Sequence, residues 1–136
     1  MDADFFYLDT SIWLDFYEKR GDNGAFALHL LLTLIAEEKK VIISDILTRE
    51  LKHLGYSNDE INRLFQIIKP NHIKRVFTTK EEFLEARHLA RQRNVPLGDA
   101  LHAVLARNHH ALFISRDKDF LSLKDIIKIK TPEEFI

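Results

Sequence analysis

The sequence predicts an α/β domain in which a largely parallel sheet of about four to five strands is covered by helices on both faces. Short apolar runs alternate with segments of helical period along the chain, acids follow several of the runs, and no Pro/Gly-rich linker or repeat interrupts the alternation. The 136 residues fit one compact domain, residues 1–136, and 46% of them are hydrophobic, enough for a substantial core.

Taken in order, Phe5 to Leu8 is an aromatic-rich run too short for a helix and stopped by Asp9, so a strand is expected. Ile12 to Tyr17 and Ala25 to Glu38 then take a helical period. Val41 to Ile43 is the second expected strand, followed by a helix from Ile46 to Leu54. Ser57 with Glu60 has capping-box spacing and announces a helix from Ile61 to Ile68. Ile73 to Phe77 is the third strand, and Thr79 with Glu82 repeats the capping box before a helix from Phe83 to Arg93. The helix from Ala100 to His109 carries Ala100, Ala103 and Ala106, small residues that allow close approach of a neighbour. Ala111 to Ile114 and Ile126 to Ile129 complete the strands. Thr131-Pro132-Glu133-Glu134 places proline at a first helical position and predicts a short terminal turn.

A formal charge of -1 supplies no global positive field, so a nucleic acid has to find a local patch. The absence of cysteine excludes disulfides, thiolate zinc sites and a cysteine nucleophile, and suits a reducing compartment. Met1-Asp2-Ala3-Asp4 is acidic and the apolar run after it ends at Asp9, which fits neither a signal peptide nor an anchor. Ala25 to Ala36 is too short to span a bilayer and is closed by Glu37-Glu38-Lys39-Lys40. A soluble, cytoplasmic protein without a membrane partner is expected.

Sites in open parallel sheets form beyond the carboxyl ends of strands, and acids gather there. Asp9 ends the first strand, Asp45 follows the second, Asp117 follows Phe113-Ile114-Ser115-Arg116, and Asp99 opens the late helix. Glu50 lies about one turn into the helix after the second strand. Taken singly, Asp45, Asp99 and Asp117 read as helix caps and Glu50 as a solvated helix residue. Together, converging acids repel one another unless they share protons or bind a cation. An all-oxygen set without cysteine favours Mg²⁺ or Mn²⁺ over structural zinc.

Leu8-Asp9-Thr10-Ser11, Glu50, Gly98-Asp99-Ala100 and Ser115-Arg116-Asp117-Lys118-Asp119-Phe120, in that order and spacing, resemble the four signature segments of the PIN domain. The length and the closing Thr131-Pro132-Glu133-Glu134-Phe135 are most similar to the compact VapC-type toxins of toxin–antitoxin pairs. The resemblance implies a three-layer α/β/α fold and a Mg²⁺- or Mn²⁺-dependent endoribonuclease with Asp9, Glu50, Asp99 and Asp117 as its acidic, metal-holding quartet. It also implies Ser115 as the hydroxyl before the last acid, and a 5′-phosphate on the downstream RNA fragment. Ser11 is a candidate donor that orients the Asp9 carboxylate. Asp119 either assists at the site or supports the turn into Phe120. Asp45 matches no quartet position and is expected to cap its helix.

A small antitoxin that masks the acids, and a homodimer, follow from the same resemblance. Trp13, Phe16, Leu30, Leu31 and Leu32 are candidate apolar anchors for these partners, the alternative being that all face one monomer core. Arg87, Arg91 and Arg93, with Arg116 and Lys118 beside Asp117, are candidate RNA phosphate contacts, weighed against solvated helix charges. His102 and His109 fall on roughly one helix face with no third ligand or H-E-x-x-H pattern, so packing or surface roles are expected. His102, nearly one turn after Asp99, has the reach to touch the site edge. A haloacid-dehalogenase-like phosphatase needs Asp-x-Asp where Asp9-Thr10-Ser11 stands, and a receiver domain needs an acid where Thr78-Thr79-Lys80 stands. The rival outside enzymology is a noncatalytic PIN-type RNA-binding or scaffold module, against which retention of all four acids argues.

Overall fold

The computed structural model describes residues 3–135; Met1 and Asp2 of the acidic opening, and Ile136, lie outside the described residues. The chain runs β1 (Phe5–Leu8), α1 (Thr10–Tyr17), α2 (Gly21–Ala36), β2 (Lys40–Ser44), α3 (Asp45–His53) and α4 (Asn58–Phe65). It continues through β3 (Ile73–Val76), α5 (Lys80–Arg93), α6 (Leu97–Asn108), β4 (Leu112–Ile114) and β5 (Ile129–Lys130). The strands form one parallel sheet in the order β3-β2-β1-β4-β5, with helices on both sides in a three-layer α/β/α arrangement.

Strand alternation divides the core in two. Phe6 and Leu8, Val41 and Ile43, and Leu112 and Ile114 pack with α1, α2 and α4 on one face, while Tyr7, Ile42 and Phe113 pack with α5 and α6 on the other. Both faces being covered explains why these strands read as continuous apolar runs. Burial of each such side chain contributes roughly 1.5–3 kcal/mol, so a slip in register by one residue would still bury apolar groups but would mismatch every pair. Ala100, Ala103 and Ala106 are fully buried, and their small side chains let α6 lie close to the sheet and α5.

Both capping boxes are present. Ser57 and Thr79 each accept an N–H from the glutamate three residues on, and each glutamate accepts the cap residue's N–H in return. Several boundaries differ from expectation. α2 begins at Gly21, four residues before Ala25, and α6 begins at Leu97 rather than Ala100. The fifth strand is Ile129–Lys130 rather than a run from Ile126. Ile126 and Ile127 follow the 3₁₀ turn Lys118–Leu123 and pack into the α5/α6 core from a turn. A short apolar run filling a core from a turn has the same signature as a buried strand. The terminal turn forms as expected, as a 3₁₀ segment over Pro132–Phe135.

The proposed anchors need correction. Trp13, Leu30 and Leu31 are fully buried in the monomer core, Trp13 edge-on to Phe65 with ring centroids 5.0 Å apart, and Phe16 is partly buried against the same cluster. Leu32 alone of the five is exposed, at 53%. The sheet face together with α4 offers more room for apolar side chains than one helix face suggests.

Candidate active site

Strand order reverses its direction of growth at β1, which pairs with β2 on one side and β4 on the other. Such a switch point opens a crevice beyond the carboxyl ends of the two strands. Asp9 sits there, its N–H bonded to the Ile114 carbonyl at 2.9 Å. It occupies the N-cap position of α1 but caps nothing with its side chain. Instead Oδ2 accepts the Ser115 hydroxyl at 2.8 Å and the Ser11 hydroxyl at 3.2 Å. Burial pushes the Asp9 carboxyl above its ordinary pKa, opposed by His102 and the two serines.

Glu50 reaches the crevice from α3. Its Oε1 accepts from Thr10 Oγ1 and lies against His102 Nε2, each at 2.6 Å. Burial alone would raise its pKa, but the bond and charge of His102, with Thr10, outweigh that and hold it below the ordinary value. In Asp9 and Glu50 alike, both protein donors meet one carboxylate oxygen. Asp9 Oδ1 and Glu50 Oε2 receive no hydrogen bond among the described residues.

Asp99 is the third residue of α6, whose N-cap is Pro96, and no side-chain cap bond forms. The helix-cap reading of Asp99 therefore has no hydrogen bond behind it. Asp99, Asp117 and Asp119 each bring a carboxylate oxygen within 4.8 Å of the others. Burial first, then the negative charge of Asp117 and Asp9, pushes the Asp99 carboxyl up to about 6. Asp117 does cap a turn, its Oδ1 accepting the Asp119 N–H at 2.9 Å. An open cleft of ≈ 530 Å³ is lined by Asp9, Thr10, Ser11, Leu14, Arg49, Glu50, His53, Leu54 and Asp117. An all-oxygen donor set, two carboxylate oxygens without a protein donor, and a third carboxyl lifted by burial and by its acidic neighbours fit a hard divalent cation.

Gly98 explains the glycine of the Gly98-Asp99-Ala100 segment. A β-carbon there would lie 2.7 Å from Glu50 Oε2. Gly98→Ala should thus change the stability of the fold by no more than about 1 kcal/mol in either direction, since alanine favours a helix but the displaced Glu50 carboxylate gives up its bonds from Thr10 and buried His102. Its main effect should fall on the aim of the Glu50 carboxylate, which the added β-carbon pushes from its place beside α6. Thermal melts check the stability, and a crystal structure of the variant with the Glu50 carboxylate unmoved would show that the glycine is not what seats it.

Other expected positions divide. Ser44, not Asp45, is the N-cap of α3, accepting the Leu47 N–H at 3.1 Å. Asp45 instead accepts the N–H and hydroxyl of Thr78, tying the end of β3 to α3. Arg93 is engaged by Asp125 and the Ser122 carbonyl, and Arg116 by Glu133 with Asp15 nearby. Arg87, Arg91 and Lys118 are exposed and form no ion pair among the described residues. His102 holds more than the packing or surface role expected of it. It is fully buried and bonded to Glu50 on one nitrogen and Tyr7 on the other. Its place one turn after Asp99 on an alanine-rich buried face was the available signal, because a buried imidazole needs partners.

A family model for the PIN domain matches residues 6–126. A search of curated proteins finds no match. Among solved structures, the chain is similar to VapBC2 from Rickettsia felis, a structure bound to a DNA fragment from its promoter, with a TM-score of 0.69 at 18% identity over 93% of this chain and 98% of that one. A toxin–antitoxin complex from Klebsiella pneumoniae gives 0.68 at 20% over 93% and 97%, and VapBC-1 from nontypeable Haemophilus influenzae 0.66 at 15% over 95% and 98%. These likenesses show the fold, and with the family match over most of its length the chain belongs to the PIN domain family.

Proposed function

We propose that this chain is a divalent-metal-dependent endoribonuclease and the toxin of a toxin–antitoxin pair. The observation that carries the reading is a pair of acidic groups that share Asp117, with Asp9 and Glu50 lining the cleft beside it and Asp99 and Asp119 bringing carboxylate oxygens close to it, the Asp99 carboxyl being lifted to about 6 by burial and by the charge of Asp117 and Asp9. The solved relatives described as toxin–antitoxin assemblies support the biological part.

Asp9, Glu50, Asp99 and Asp117 would hold Mg²⁺ or Mn²⁺, with Asp119 placed to join Asp99 and Asp117. Bound there, the ion supplies Lewis acidity toward a phosphate oxygen and lowers the pKa of water for in-line attack. The chain's own residues do the holding and aiming. Ser11 and Ser115 fix Asp9, and Thr10 fixes Glu50 from the side of α1. Arg49 and His53 line the cleft, and exposed Arg87, Arg91 and Lys118 offer cations to the RNA backbone. Hydrolysis of the phosphodiester leaves a 5′-phosphate and needs no covalent enzyme intermediate.

Leu14 and the exposed Leu54 beside the acids suit a partner segment that carries a basic side chain into the cleft. Leu28, Leu32 and Ile35 are exposed at i, i+4 and i+7 on α2, an apolar stripe suited to a second copy of the chain. No helix among the described residues is long and apolar enough to cross a membrane, in keeping with a cytoplasmic toxin.

Expression of the wild-type chain alone is expected to arrest growth, Asp9→Asn to be harmless, and the product of an adjacent small gene to restore growth. In the purified system, cleavage of RNA should require Mg²⁺ or Mn²⁺ and stop with EDTA. Intact RNA after incubation with the metal-replete wild type would favour the noncatalytic module instead.

A further inference from the structure

A row of polar side chains crosses the otherwise apolar layer between the sheet and α6 and ends on Glu50. Tyr7 of β1, Ser44 of β2 and His102 of α6 are 0%, 1% and 1% exposed. Their surroundings include Ile42, Ala103 and Phe113. Ser44 Oγ accepts the Leu47 N–H at 3.1 Å and lies 2.6 Å from the Tyr7 hydroxyl. That hydroxyl lies 2.5 Å from His102 Nδ1, and His102 Nε2 lies 2.6 Å from Glu50 Oε1. Buried polar groups destabilise a core unless each is paired, whereas aliphatic side chains would fill this volume with no such requirement. Every member of the row is paired, and the end that opens on the crevice is Glu50.

The hydrogens can be placed. With a neutral ring, Ser44 donates to Tyr7, Tyr7 donates to Nδ1, and Nε2–H donates to Glu50. With a charged ring, Nδ1–H donates to Tyr7 and Tyr7 to Ser44, while Nε2–H again donates to Glu50. The donor facing Glu50 is therefore the same in both ring states.

Thr10 also donates to Oε1, at 2.6 Å. One hydroxyl leaves the terminal torsion of a glutamate broad, because rotation about that bond has no sharp wells. A second donor on the same oxygen, from an element across the crevice, confines it. Oε2 then lies toward Gly98, where a β-carbon would approach it to 2.7 Å, next to Asp99. We infer that His102, braced by Tyr7 and Ser44, is the positioning residue for Glu50, pinning Oε1 so that Oε2 faces the divalent cation. This rests on the reading of the acids as a metal centre.

The test is calorimetric titration of Mn²⁺ into the metal-free full-length chain, without RNA, comparing wild type, His102→Gln and His102→Asn. The glutamine amide nitrogen reaches the place of Nε2, which faces Glu50, whereas the asparagine amide reaches only the place of Nδ1, which faces Tyr7. Circular dichroism and melts establish that each variant is folded. His102→Gln should bind Mn²⁺ within about threefold of wild type and His102→Asn about 10–100-fold more weakly, the usual loss when a group behind a metal ligand is removed. Excess Mn²⁺ should restore cleavage to the asparagine variant, which a general loss of structure would not permit. Wild-type affinity in His102→Asn, or equal weakness in the two variants, would overturn the assignment. If the asparagine variant fails to fold, Tyr7→Phe decides: releasing the ring from behind should weaken Mn²⁺ binding several-fold, and unchanged affinity overturns the role. Asp99→Asn separates this outcome from the parent reading. Loss of binding there with none in the His102 variants removes only the positioning role, whereas a wild type that binds no Mn²⁺ removes both.

Discussion

Asp99→Asn and Asp9→Asn are each expected to lower RNA cleavage by more than about a hundredfold, since loss of a partner behind a metal ligand already costs ten- to a hundredfold and these acids are the proposed ligands themselves. Asparagine keeps the shape of the side chain and removes its charge. The fold should tolerate the exchange at Asp99 well, because its carboxylate makes no helix-cap bond. At Asp9 the Ser11 and Ser115 hydroxyls can still donate to the amide oxygen, so the link between the ends of β1 and β4 persists. Single-turnover cleavage of a labelled RNA at saturating Mn²⁺, beside circular dichroism of each variant, measures the effect. Wild-type rates in both folded variants would remove the acids from the mechanism.

Why were these acids legible in the sequence when their support was not? Asp9 and Asp117 follow strands, and a parallel sheet brings all strand carboxyl ends to one edge, so sequence order alone implied their meeting. Capping boxes at Ser57 and Thr79 are local and needed no tertiary knowledge. The row behind Glu50 is different. Tyr7 lies 37 residues from Ser44 and 95 from His102, and each alone has an ordinary reading, as a core aromatic, a helix cap and a packed imidazole. Only the pairing of β1 with β2, and the packing of α6 over both, makes them neighbours. Arg93 and Arg116 show the same limit in reverse. Their basic character was visible, but Asp125 and Glu133, which engage them, are distant in sequence. Trp13, Leu30 and Leu31 exceed what one helix face can bury, yet the facing sheet and Phe65 of α4 accommodate them.

Without metal, Asp99→Asn should melt at a higher temperature than wild type at neutral pH, and Mn²⁺ should stabilise wild type but not the variant. The Asp99 carboxyl is held at about 6 against an ordinary value of 3.8, by burial first and then by Asp117 and Asp9. The folded chain thus retains a proton that the unfolded chain has released. Through this group, stability is greatest below about pH 4, declines as pH rises toward about 6, and stays at its lower level above that. Partial exposure and salt screening make the decline smaller than the full shift implies. Glu50 acts in the opposite sense, since its lowered pKa contributes stability that is lost on acidification below its ordinary 4.5. The isolating comparison is therefore wild type against Asp99→Asn between about pH 4.5 and 7, where the variant should lack the Asp99 part of the decline. Cation binding competes with the Asp99 proton, so stabilisation by Mn²⁺ should be full above about pH 6 and fade below it. A hundredfold excess over Kd contributes about 2.7 kcal/mol, several degrees in melting temperature for a chain of this size. Melts in EDTA and in Mn²⁺ across that pH range decide the matter. A metal-free Asp99→Asn chain that melts below wild type at neutral pH would return Asp99 to the part of an anion serving the first turn of α6.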